Sequence, residues 1–165
     1  MDSKKSVEIV YIYTFMVKII FMITKEDANE KVKEGWLKAS MIFEVLAVNE
    51  KTTKESLEVL LNKLEKDNRI KMYKKEFGEM KKVEKPLPNI ELGHSLTCDV
   101  ELISKKLDDL AQIVSEYGPS AIEILEPLKL SIGAGEAQAI LNLISQIMHE
   151  FASAGAGGIV FIREE

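Results

Sequence analysis

The side chains best suited to chemistry in this chain are two histidines, one cysteine and a group of carboxylates, and their spacing limits what they can do. His94 and Cys98 stand four residues apart in a stretch that alternates like a strand. That spacing separates their Cβ atoms by about 13 Å, too far to share one ion. His149 falls in a helical pattern with no His or Asp at the i, i+4 positions, so both histidines read as core or surface residues and no metal site is expected. A lone Cys98 cannot close an internal disulfide, which fits a reducing compartment. Asp99, Glu101, Glu123 and Glu126 lie on neighbouring strand patterns and are the carboxylates that could pair for acid–base work. Glu123 is flanked by Ile122 and Ile124 and points opposite to them, so a solvent-facing carboxylate is expected there. No Ser/His/Asp or Cys/His set is visible, and no catalytic residue is assigned.

Glycines offer the second kind of chemistry. Ser131 to Ile140 reads SIGAGEAQAI, a short apolar stretch followed by Gly133, Gly135 and a helix. This is how a dinucleotide fingerprint begins, but its third glycine position is Gln138 and only 30 residues follow Gly135. No βαβ unit with a ribose-binding acid fits in that length, so no cofactor is expected. The free amides of the helix start still make Gly133 and Gly135 candidates for holding a small anion. Gly155, Gly157 and Gly158 read as a helix stop and tail leading to an edge strand at Ile159 to Ile162.

The elements that must position these residues belong to an ordinary globular chain. Of 165 residues, 46% are hydrophobic and 30% charged, enough for one domain with its own core. The net charge of −5 is uneven: residues 51 to 85 carry 11 basic and 7 acidic groups, residues 86 to 165 carry 4 and 12. With only Tyr73 and Phe77 interleaved, the basic segment is a solvated face and no nucleic-acid partner is expected.

Three segments carry helical periodicity. Leu57, Leu60, Leu61 and Leu64 form one stripe after a capping-box pair at Thr52 and Glu55. Leu107, Leu110, Ala111 and Val114 form a second, with Ser104 as the expected N-cap and Gly118 followed by Pro119 as the stop. The third runs from about Gly135 to Ser153, and its wide apolar stripe predicts burial on two sides. Alternation from Ile90 to Leu102 predicts a half-buried antiparallel strand. Lys38 to Val48, a strand from Arg69 to Val83 bulged at Gly78, and Ala121 to Glu126 closed by Pro127 complete the set, with Leu130 and Ile132 as a further edge. The order β α β β α β α describes an α+β, ferredoxin-like βαββαβ sandwich with an additional C-terminal helix. The domain is expected over residues 35 to 154, with 155 to 165 as tail or edge strand.

Residues 1 to 34 are read as an apolar segment and a charged linker, dispensable for folding. The run from Val7 to Ile23 contains Glu8 and Lys18, which disfavour a spanning helix, and no cleavage site follows it. Its β-branched content favours an extra strand or a leader, so a cytoplasmic location is expected, with anchoring through residues 7 to 23 as the alternative.

The stretch around Tyr117 to Pro127, YGPSAIEILEP, resembles the ferredoxin-like C-terminal extension of WYL-domain bacterial transcription regulators. It also resembles small archaeal proteins of unknown function that begin near a Gly-Trp such as Gly35 and Trp36. No helix-turn-helix or WYL motif precedes it, so the resemblance implies a fold used for oligomerisation and effector sensing and not DNA regulation. Together these readings point to a non-catalytic ligand-sensing or oligomerisation module, with an enzyme whose site forms at a subunit interface as the alternative. A homo-oligomer is expected, most simply a dimer packed through sheet faces or edges near Ile42 and Leu46, with a small-molecule or anionic effector as a further partner.

Overall fold

In the computed structural model, residues 22–154 are described. Strand β1 (Leu37–Ala47) and strand β4 (Ile90–Ser104) form the centre of the sheet, paired antiparallel from Leu37 opposite Ser104 to Ala47 opposite His94. Their register places Ala39, Met41 and Phe43 beside Leu102, Val100 and Cys98 on one face, the face that the alternating pattern marks as apolar. Strands β2 (Ile70–Phe77) and β3 (Lys81–Leu87) flank β4, and β5 (Ala121–Glu126) flanks β1. Helix α2 (Glu50–Glu65) joins β1 to β2, and α3 (Leu107–Tyr117) joins β4 to β5. The strand order β2-β4-β1-β5, antiparallel throughout, is the expected ferredoxin-like arrangement, and α4 (Ala134–Ser153) is the additional C-terminal helix.

The core forms where Leu57, Leu61 and Leu64 of α2 and Leu110 and Ile113 of α3 meet that apolar sheet face. Helix α3 stops where expected. Gly118 adopts the left-handed conformation (φ 57°, ψ 54°), and its N–H donates to the Val114 carbonyl at 3.0 Å.

Several local details differ from the sequence reading. Helix α2 begins one turn earlier than Thr52, because Asn49 is the N-cap and its Oδ1 accepts from the Thr52 N–H at 2.9 Å. Ser104 ends β4 and does not cap α3; its hydroxyl donates to the Arg69 and Lys106 carbonyls, and Lys106 takes the N-cap position without a side-chain bond. The strand expected from Arg69 to Val83 is divided at Gly78, whose N–H donates to Thr97 O at 3.0 Å. A Cβ there would stand 2.5 Å from Thr97 Oγ1, so any larger residue would have to push that hydroxyl aside. Leu130 and Ile132 lie in the loop between β5 and α4 and form no strand.

Residues read as a charged linker form helix α1 (Lys25–Lys33). Thr24 and Asp27 make a full capping box, and Ala28 is buried against Tyr73 and Ile103 on the sheet face opposite α2 and α3. Just before it, Met22 bridges Met72 and the Ile23 N–H donates to the Met72 carbonyl at 3.0 Å. The rest of the apolar run, residues 7–21, and the glycine tail with Ile159 to Ile162 lie outside the described residues. Among the described residues no helix is long and apolar enough to cross a membrane.

Candidate functional site

Helix α4 departs most from a structural role that could be guessed from its sequence. None of its 20 residues is buried, which corrects the expectation of burial on two sides. Its inner stripe, Ile140, Leu143 and Ile147, faces α3 across a cleft of about 450 Å³ that is also lined by Leu110 and Val114 of α3 and by Ile122 and Ile124 of β5. Ile144, 52% exposed, stands at the rim of the same cleft, and with Leu141 (62%), Met148 (58%) and Phe151 (53%) it forms an exposed stripe. Among the described residues strand β5 is a sheet edge, and Ile122 and Ile124 are each 42% exposed. These six large apolar side chains all stay at least 42% exposed, and apolar side chains gathered at a surface mark interaction sites.

One polar tie holds α4 in place. The Glu136 carboxylate accepts from the Leu107 N–H at 2.7 Å and the Asp108 N–H at 3.3 Å, so the first turn of α4 caps the otherwise uncapped start of α3. Behind the helices, a polar cleft of about 550 Å³ runs between α3 and α4, lined by Gln112, Glu116, Asn142, Gln146 and Glu150. Beside it, Arg69 clasps α2 to α3. Its guanidinium donates to both carboxylate oxygens of Asp67 (2.9 and 2.6 Å) and to both of Glu116 (2.9 and 2.6 Å). Hydrogen bonding to Arg69 lowers the Asp67 carboxyl to about 2 and holds Glu116 below the ordinary carboxylate range.

The acidic residues singled out by sequence all fall on the sheet face opposite α2 and α3, yet they do not converge. Glu101 and Glu123 both stand opposite Ser40, on either side of β1, and Asp99 stands opposite Ile42. Glu123 is exposed, as expected. Glu126 receives a hydrogen bond from Lys38 Nζ at 2.6 Å, and the same buried amine donates to Asn29 Oδ1 at 2.7 Å and lies over the Tyr73 ring. Burial, then the neighbouring Glu101, pushes the Tyr73 hydroxyl up. Burial alone would raise Glu101 too, but the Tyr73 hydroxyl and the Lys74 ammonium beside it hold it below its ordinary range. Through the Lys38–Asn29 hydrogen bond the cluster fastens α1 to the sheet.

His94 and Cys98 stay apart in function. Cys98 is buried in the core, where burial pushes its thiol up. Among the described residues the buried Nδ1 of His94 has no hydrogen-bond partner, and its Nε2 lies 3.8 Å from Glu50 Oε1. His149 sits on the exposed α4. No group of three metal-ligating side chains occurs among the described residues. Gly133 is the N-cap of α4 and Gly135 lies in its first turn; a Cβ at either would meet nothing within 4 Å.

Sequence reasoning missed the Lys38 cluster, the Arg69 clasp and the Glu136 cap, since each joins residues distant along the chain. The exposed stripe of α4 was legible as apolar; what it lacks is a cover within the described residues. A comparison with protein families matches residues 38–163 to the MJ0538 family, a span that begins in β1 and contains every strand and the three helices after it. No curated protein and no solved structure matches the chain.

Proposed function

The chain belongs to the MJ0538 family, and from that footing we propose that it is a non-catalytic assembly module that pairs with a second copy through the open face of α3, β5 and α4. The observation that carries this reading is a 20-residue helix with an apolar stripe and no buried residue. A helix of that pattern gains its stability from packing, and among the described residues this one stays half-covered beside an open cleft and a sheet edge, an arrangement that a second chain would complete. Homo-oligomers closed by a two-fold axis use the same patch on both copies, so one exposed face is sufficient. The contact first expected at Ile42 and Leu46 is the weaker choice, because Ile42 is half-buried and only Leu46 opens to water there.

Support for the non-catalytic side comes from the titratable groups: the buried amine, phenol and thiol described above are each paired or held in their neutral form. The chain is expected to sediment as a species of twice 18.6 kDa, that is 37.2 kDa, at high micromolar concentration. A strict monomer there would overturn the reading. An anionic effector at Gly133 and Gly135 is a separate branch of the same proposal. A thermal-shift panel of phosphate, nucleotides and amino acids tests it, since a ligand at a hundred times its Kd stabilises the fold by about 2.7 kcal/mol.

A further inference from the structure

The assembly reading can be taken to the level of register, and we infer that the two copies meet through α4 packed antiparallel on α4, with Leu141 facing Phe151 of the partner subunit and Ile144 facing Met148 of the partner subunit. This rests on the assembly reading above. A two-fold interface must be self-complementary, so the patch has to read the same from either end. The exposed stripe has that property: Leu141, Ile144, Met148 and Phe151 are spaced by three, four and three residues, symmetric about the middle of the stripe. All four lie within one narrow arc of the helix, and α4 is about 30 Å long, enough to carry the whole stripe along one contact.

The helix dipoles select the antiparallel sense: a parallel pair aligns them, which is unfavourable, and an antiparallel pair opposes them. Glu136 is engaged by the start of α3 and Glu150 lines the polar cleft between α3 and α4, so neither carboxylate of α4 stands in the stripe. The α4 termini that Glu136 fixes to α3 then stand at opposite ends of the contact, which leaves each copy's own cap intact.

The test uses the full chain in four forms: unaltered, Ile144→Lys, Met148→Glu, and the double variant. These side chains are half-exposed or more, so circular dichroism should show each variant folded. Light scattering over a dilution series should show a dimer for the unaltered chain, at least tenfold weaker association for each single variant, and recovery in the double variant, where the introduced ammonium of one copy would oppose the introduced carboxylate of the other twice across the axis. Loss in both single variants without recovery in the double variant would overturn the register and leave the assembly reading standing. A dimer indifferent to all three changes would overturn α4 as the contact, and a monomeric unaltered chain would overturn the assembly reading itself.

Discussion

Arg69 shows how a single side chain sets the pH response of this fold. Its guanidinium lowers Asp67 to about 2 against an ordinary value of 3.8. A depressed folded-state value contributes stability that is fully present above the ordinary value and disappears as pH falls through about 2. Replacing Arg69 with Met removes that contribution and leaves two carboxylates without their partner. The variant should unfold at about 2 kcal/mol less than the unaltered chain near neutral pH, with the gap closing between about pH 5 and pH 2. Urea titrations at several pH values measure this, and a gap that is constant with pH would mean that Arg69 acts through packing alone. Gly118 makes a second residue-scale case. Its φ is 57° and a Cβ there would meet nothing within 4 Å, so the penalty for Gly118→Ala is backbone strain without a clash. It should cost about 1 kcal/mol, and Asn, which tolerates the left-handed region, should cost less. Equal urea midpoints for the three would contradict the helix stop.

Among the elements, those defined by period were legible and those defined by tertiary contact were not. Leu57, Leu61 and Leu64 announce α2 by spacing alone, Leu96 to Leu102 announce β4 by alternation, and Gly118 with Pro119 announces the end of α3. Helix α1 carries no such signal, because nine residues with Ala28 and Val32 as their only apolar members read as solvent-facing. It exists through its capping box and through burial of Ala28 against Tyr73 and Ile103, neither of which periodicity reveals. Its surface pairs, Lys31 with Glu34 and Lys33 with Glu30, add little. If burial holds α1, Ala28→Asp should cost about 2 kcal/mol or more by placing a charge where no partner waits. A chain shortened to begin at Gly35 should likewise unfold at lower urea. Unchanged midpoints in both would show α1 to be an ornament on the sheet. The Glu136 cap was hidden for a related reason: the donor amides are on α3 and the acceptor is 28 residues or more away.

At the scale of the whole molecule, the sheet is covered unequally. One face carries α2 and α3 over a continuous core, the other carries α1 at one end, and β5 with α4 leaves an apolar surface open at the edge. The ferredoxin-like order explains the asymmetry, since among the described residues β5 is the outermost strand beside β1 and α4 packs on α3 without closing over β5. If a second copy completes this surface, amide hydrogen exchange followed by mass spectrometry over a range of protein concentrations reports it in β5 and α4. Protection of residues 121–126 and 134–153 should rise with concentration while the buried strands β1 and β4 stay unchanged. Exchange in β5 and α4 that is fast and independent of concentration, up to the high micromolar range, would contradict it.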